Sequence, residues 1–227
     1  MKTIVGNCRL CKNFVNKVTE YQGVVIDYTP ILMETENFFL VPDLSPVSDV
    51  HLLIVSKKHC RSMSALSNEL LEELSQLCNV TCGILKDSID TDYAIFEHGA
   101  GNECKKSFNS INHFHLHIVS FNSKLSKLVT AKTACTVNKI TTLSDIKEFK
   151  NKEYIFIQDY DQNNYVLLFE HTEIKSQLLR KIIFEYNHPN SITHNKISYN
   201  WKKGIDLSRY NSSAYILKKI FQKRKGE

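Results

Sequence analysis

His113-Phe114-His115-Leu116-His117-Ile118, followed by Val119, alternates imidazole and apolar side chains. In a β-strand successive side chains point to opposite faces. Read as a strand, the stretch places His113, His115 and His117 on one face and Phe114, Leu116 and Ile118 on the other, where a core would hold the imidazoles still. Nine histidines in 227 residues make three at fixed alternate positions an accident in only about one or two such chains per hundred. Three readings compete. The stretch is a half-buried strand with incidental histidines, a metal site in which imidazoles at i and i+2 share one ion, or a nucleophilic centre.

The neighbouring sequence frames this strand. Cys8 to Val18 reads as a short helix or turn. Val24 to Asp27, Asn37 to Val41 and His51 to Ser56 read as strands, with Pro42 and Pro46 in the connection between the last two. Ser67 predicts a helix N-cap, with Glu69, Glu72 and Glu73 placed early to favour the helix dipole. Leu66, Leu70, Leu74, Leu77, Thr81 and Ile84 recur at helical spacing, giving one apolar face through about Lys86. Tyr93 to Glu97 reads as a strand ending in a glycine-containing loop, Glu97 to Gly101. A helix against an antiparallel sheet, with few βαβ units, predicts an α+β fold.

Taken with these neighbours, the alternation resembles the histidine triad (HIT) nucleotide hydrolases and transferases, whose signature is His-φ-His-φ-His-φ-φ with φ apolar. Phe39-Leu-Val-Pro-Asp43-Leu-Ser45-Pro46, then His51-Leu-Leu-Ile-Val-Ser-Lys57-Lys58-His59, is similar to the family's strand, turn and strand leading to its hydrophobic-Pro-Lys-x-His segment. Asn109-Ser110 stands where the family often has Gln-Ser. The match covers roughly residues 8 to 121, and the family's proline soon after the triad is missing here, where Val119-Ser120-Phe121 follows.

The resemblance implies a HIT-like antiparallel sheet with packed helices over residues 1–123. It implies that His115 is the nucleophile and that His117 contacts the phosphate or protonates the leaving group. It places Asn109 and Ser110 on the phosphates and Asp43 on the ribose. Ser110 would equally cap a strand, and Asp43 is a good turn residue. His98 lies close in sequence to a loop that could approach the phosphates, and reads equally well as a structural histidine.

Cys8-Arg-Leu-Cys11 alone is a weak signal, since a zinc site needs four ligands. Some bacterial HIT proteins complete such a pair with the histidine of the Pro-Lys-x-His segment and the first triad histidine. The resemblance therefore implies a structural zinc site of Cys8, Cys11, His59 and His113, which frees His113 from catalysis. A simple oxidisable thiol pair is the alternative. No organic cofactor is implied.

Beyond Ser123 the composition changes. Residues 1–123 carry 10 Lys+Arg against 14 Asp+Glu, whereas 124–227 carry 19 against 10. Lys218, Lys219, Lys223, Arg224 and Lys225 cluster at the end, as a solvated helix end or a patch for phosphate-rich ligands or nucleic acid. Ser123 to Lys139 reads as a polar linker and Leu143 to Phe149 as a helical turn. Tyr154 to Gln158 and Tyr165 to Phe169 read as a hairpin, and Ser176 to Tyr186 as a helix stopped by His188-Pro189. Residues 124–227 are thus expected to form a smaller, basic α+β extension. With Asn200-Trp201-Lys202, it loosely resembles the extension of one HIT branch.

The chain has 42% apolar residues, enough for a core. It has no run of 18 apolar residues for a membrane span, and its start is too quickly polar for a secretory signal. Seven cysteines without a disulfide framework suit a reducing cytoplasm. The expected function is a nucleotide hydrolase or nucleotidyl transferase. It would act on the α-phosphate of a purine nucleotide conjugate or dinucleoside polyphosphate, through a nucleotidyl-histidine intermediate, with a phosphorylase as a variant. The alternatives are a non-catalytic nucleotide-binding sensor and a nucleic-acid end-processing enzyme. Many HIT proteins dimerise through the long helix, so a homodimer is a candidate state.

Overall fold

The computed structural model describes residues 8, 10–12, 30–99, 113–169, 177–189, 199 and 205–223, together with the backbone of 18–21 and 24–27. Asn109, Ser110, Trp201, Arg224 and Lys225 lie outside the described residues. In chain order the first strands are β1 (Val18–Tyr21), β2 (Val24–Asp27), β3 (Met33–Glu34), β4 (Phe38–Pro42) and β5 (His51–Ser56), and then comes helix α1 (Asn68–Ser88). Strands β6 (Tyr93–Gly99) and β7 (His115–Ser120), helix α2 (Leu125–Thr130) and strands β8 (Thr136–Ile140), β9 (Tyr154–Gln158) and β10 (Asn164–Leu168) follow. Helices α3 (Leu178–Asn187) and α4 (Leu207–Lys223) end the described chain.

β1 and β2 form a small hairpin of their own. The other strands make one antiparallel sheet in the order β3-β4-β5-β7-β6-β9-β10-β8. The triad strand β7 is central because both flanking strands are buried along nearly their whole length. Its register sets Val55 opposite His115, and Leu53 and Phe96 on either side of His117.

The two-residue alternation organises the core. Phe114, Leu116 and Ile118 join Leu52, Ile54 and Ile95 on one face, under Leu71, Leu74, Leu77 and Leu85 of α1 and Leu217 and Phe221 of α4. On the other face Ala94, Phe96, Ile155 and Ile157 pack under α2 and α3, through Leu125, Val129, Leu179 and Ile182. Towards the β3 edge that second face continues as Phe39, Val41, Leu53 and Val55. His115 and His117 rise between these two apolar patches.

Helix α1 forms where the spacing predicts. The Ser67 hydroxyl accepts from the Leu70 N–H at 3.3 Å, Glu69 sits in the first turn and Lys86 in the last. The basic helix α4 buries Tyr210, Leu217 and Phe221, so Lys218, Lys219 and Lys223 lie on its solvated side. Among the described residues no helix is long and apolar enough to cross a membrane.

Three expectations are corrected. The triad strand starts at His115, so His113 precedes it rather than sharing it. Strand β6 continues through His98 and Gly99, which pair with Ile155 and Tyr154 of β9. The segment 123–139 is a helix and the start of an edge strand rather than a linker. Its helix is held by Leu125 and Val129 in the core and by Asp159, whose carboxylate accepts from the Ser126 N–H at 3.0 Å. The α+β content of the second half agrees with expectation, and its strands extend the same sheet through the β6–β9 pairing.

Two features of β6 yield stability predictions. A Cβ on Gly99 would lie 2.1 Å from the Tyr154 ring, so Gly99→Ala is expected to lower stability by about 1–3 kcal/mol, measured by chemical denaturation. Glu97 is 1% exposed, and its carboxyl accepts from the Met63 N–H and the Tyr154 hydroxyl, each at 2.7 Å. Burial pushes that carboxyl up to about 8 against these two hydrogen bonds. The native state therefore keeps a proton that the unfolded chain loses. The resulting stability is fully present below about pH 4.5 and is lost as pH rises through about 8, by up to ~1.4 kcal/mol per pH unit. Glu97→Gln removes the charge and is expected to flatten this falling limb; an unchanged slope overturns the assignment.

Candidate active site

His115 and His117 stand on the same face of β7, their ring centroids 5.0 Å apart. His117 is buried and stacks flat on Phe96, with centroids 4.4 Å apart and planes 8° from parallel. His51, the first residue of β5, brings its Nε2 to 2.8 Å from His117 Nδ1. Asp43, just after β4, lies with an oxygen 3.6 Å from His51 Nε2. Arg180 of α3 reaches across from the second half of the chain and donates from Nη1 to that same Asp43 oxygen at 3.0 Å.

Backbone groups settle which ring nitrogen carries the proton. The Val47 N–H donates to His51 Nδ1 at 3.2 Å, so neutral His51 is protonated on Nε2 and donates to His117 Nδ1. His117 then carries its proton on Nε2. His115 Nδ1 lies 2.7 Å from the His113 carbonyl, which can only accept, so His115 donates from Nδ1 and its Nε2 lone pair is free. The face thus presents one bare nitrogen and one N–H, side by side.

Burial keeps the rings neutral. Desolvation lowers His51 to about 3 despite the attraction of Asp43. It holds His117 far below the usual imidazole range, helped by the neighbouring His115, His51 and Arg180, and lowers His115 as well. Burial alone would raise the Asp43 carboxyl, but the Arg180 guanidinium, the field at His51 and the Ser45 N–H outweigh it and leave Asp43 ionised. A buried neutral imidazole is a nucleophile that phosphate oxygens do not repel.

A second cluster lies beside the first. Residues Leu10 to Lys12 form a helical turn, with the Lys12 N–H donating to the Cys8 carbonyl at 3.1 Å. It presents Cys8 and Cys11 to His113 Nδ1, each sulfur 3.4 Å away, and Cys11 also lies 3.4 Å from His59 Nδ1. His113 Nε2 donates to the Ser56 carbonyl at 2.8 Å, which leaves Nδ1 bare toward the sulfurs. All four ligand atoms lie within 4.8 Å of one another. Tetrahedral bonds of about 2.3 Å to sulfur and 2.0–2.1 Å to nitrogen put ligands roughly 3.5 Å apart, so these residues could hold one metal ion.

The remaining predicted residues are placed as follows. His98 sits two residues beyond Phe96 on β6, half-buried, with Nε2 2.8 Å from a Glu153 oxygen. Asp43 is in the site, but its oxygens face Arg180, His51 and the Ser45 N–H at 2.7 Å. Sequence reading missed His51 and Arg180. A histidine opening the otherwise apolar strand His51–Ser56 was a signal for the first; Arg180, within Leu-Leu-Arg-Lys-Ile-Ile, offered none.

A protein-family model described as scavenger mRNA decapping enzyme C-term binding matches residues 23–133. The adenosine 5'-monophosphoramidase HINT3 of Danio rerio is 27% identical over 128 residues, 56% of this chain and 74% of its own. Both matches support a protein of the histidine triad (HIT) kind. A HIT-like protein of Mycoplasma pneumoniae is 29% identical over 89 residues, 38% of this chain and 58% of its own length. Among solved structures, a HIT family hydrolase from Clostridium thermocellum aligns with 18% identity and a TM-score of 0.39, over 53% of this chain and 95% of that one. The two residues 109 and 110 that the HIT resemblance puts on the phosphates lie outside the described part.

Proposed function

We propose that this HIT protein is a nucleotide hydrolase or nucleotidyl transferase acting on the α-phosphate of a nucleotide conjugate, with His115 as nucleophile and His117 as proton donor. The observation that carries the reading is the tautomer pair: a free Nε2 lone pair on His115 next to an Nε2–H on His117. The His115 lone pair forms the P–N bond as the bond from phosphorus to the leaving group breaks. The substrate's negative charge lets the His51–His117 pair hold one added proton, which passes from His117 Nε2 to the leaving atom. Water then attacks the phosphorus as the P–N bond breaks and its electron pair returns to His115 Nε2, which releases the nucleoside monophosphate, and the water's proton returns to His117. Strand packing holds both rings in place, so orientation supplies much of the rate.

The matched zebrafish relative is named for a phosphoramidase activity, which makes nucleoside phosphoramidates, alongside dinucleoside polyphosphates and adenylated adducts, the substrates to test. Purine is favoured by the family's habit. Release of monophosphate from at least one of these conjugates is expected, and binding without release from any moves the reading to a nucleotide-binding sensor. The role of His117 has its own signature. His117→Ala is expected to slow substrates with poor, amine-like leaving groups by about 10²–10⁴-fold and to spare those with acidic leaving groups. An equal loss on both removes the proton-donor role.

Cys8, Cys11, His59 and His113 are proposed to hold one structural zinc ion. The donor set is closed by four protein ligands, so the ion would staple the N-terminal turn to the sheet and take no part in the reaction.

A further inference from the structure

His113 is shared by the two clusters. Its ring belongs with Cys8, Cys11 and His59, and its main-chain carbonyl holds the His115 ring. We propose that His113 is a positioning residue, which couples metal occupancy of the Cys8–Cys11–His59–His113 cluster to the tautomer and orientation of the nucleophile. This rests on the zinc and His115 readings given above. It adds a regulation to them: loss of the metal, or of one of its thiol ligands, slows nucleotidyl transfer.

The sheet itself does not supply this hold. The β5–β7 ladder ends at the Val55–His115 pair, and His113 lies before the start of β7. The peptide joining His113 to Phe114 carries both groups that matter. Its N–H donates to the Cys60 carbonyl at 2.7 Å, and its C=O accepts from His115 Nδ1 at 2.7 Å. Cys60 follows His59 directly in the chain. The two segments that meet at this peptide, 59–60 and 113–114, therefore each contribute one histidine to the cluster.

The His113 ring is gripped from both ends. Its Nε2 donates to the Ser56 carbonyl at 2.8 Å and lies 3.1 Å from the Ser56 hydroxyl. That aims Nδ1 at the sulfurs of Cys8 and Cys11, each 3.4 Å away, and the His59 ring packs edge-on at 5.0 Å between centroids. A metal-ligating histidine is oriented in this way, by a carbonyl on its second nitrogen. One ion held by both histidines would fix the spacing of 59–60 and 113–114, and with it the direction of the His113 carbonyl. Hydrogen bonds weaken steeply with angle. A rotation of that peptide therefore lets the His115 proton redistribute between Nδ1 and Nε2, which blocks the attacking lone pair part of the time.

The test reads zinc affinity and imidazole signals of the full chain without nucleotide. Coupling is reciprocal, so removing the His115 ring should loosen the metal. Chelator competition is expected to show zinc held about 5–20-fold more weakly by His115→Ala than by wild type. His117→Ala, whose ring faces His51 instead, should bind zinc as wild type does. In zinc-loaded wild type, ¹⁵N imidazole NMR should show His115 as a single tautomer protonated on Nδ1, and removing zinc should mix it. His59→Ala should give the mixed signal, and His59→Cys, which keeps four ligands, should restore the single one. With a productive nucleotide, the His115 adduct should form about 10–100-fold more slowly in His59→Ala.

Equal zinc affinity in His115→Ala and wild type overturns the coupling. So does a His115 signal that is the same with and without zinc in folded protein. If the metal-free protein does not fold, the affinity comparison decides alone, since it starts from loaded protein. A chain that binds no zinc overturns the metal reading and this proposal together. Coupling without turnover of any nucleotide leaves the proposal standing and removes only the hydrolase reading.

Discussion

His115→Ala is expected to abolish both turnover and the covalent adduct, lowering kcat by about 10⁴-fold or more. Quenching wild-type protein with a productive nucleotide should reveal, by intact mass, a species heavier by one nucleotidyl group, and the variant should show none. The reason is geometric. In the described structure the His115 Nε2 lone pair is free because Nδ1 is tied to the His113 carbonyl at 2.7 Å, and His117 has no comparable free nitrogen because its Nδ1 faces His51 Nε2 at 2.8 Å. His117→Ala should therefore slow turnover yet still form adduct with a good leaving group. Adduct persisting in His115→Ala would move the nucleophile elsewhere.

Removal of the metal is expected to have the largest effect on stability. Protein purified without chelator should carry one zinc per chain, and Cys11→Ser should lose it. Its melting temperature should fall by about 10 °C or more, as expected when a site worth several kcal/mol disappears from a domain of this size. Cys11 should be the most sensitive position, since its sulfur lies 3.4 Å from both His113 and His59. Without a cation, burial pushes the Cys8 thiol up and His113 down to about 4, so the cluster holds neutral groups joined by weak thiol–imidazole contacts of 3.4 Å. Protein with no bound metal and a Cys8→Ser variant of unchanged stability would falsify the zinc site. Because the proposed site is closed by four protein ligands, a Cys11→Ser protein that stays folded should still form the His115 adduct.

The acid side of the stability curve follows from the same burial. His51 is held neutral down to about 3 in the native state, whereas the unfolded ring titrates near 6.5. Its folded value is depressed, so the stability it lends is complete above about pH 6.5 and drains away as pH falls toward that value. Urea midpoints of the Glu97→Gln variant, which lacks the opposing Glu97 limb, should fall steadily between about pH 6.5 and 4, and a flat profile in that variant refutes it.

The legible parts were those with strong local periodicity. His51–Ser56 and Tyr154–Gln158 appear as strands over the predicted residues, and the Ser67 cap opens α1. The hidden parts lack such a signal. Edge strand β8 reads Thr-Val-Asn-Lys-Ile and leaves Val137 45% exposed, because only one of its sides pairs and little of it is buried. Helix α2 is six residues long, too short to show a period, and is held by Asp159 from β9's far end.

The candidate site divides along the same line. Local sequence determined that His115 and His117 share a face, because period two is a property of the strand itself, and that Cys8 and Cys11 sit on one turn. The family resemblance already grouped His113 with the cysteines; only tertiary structure decided that His51 meets His117 and that a guanidinium 137 positions away closes on Asp43. Those contacts join residues far apart in sequence, and the sheet pairing that brings them together is written in buried surface rather than in any short motif.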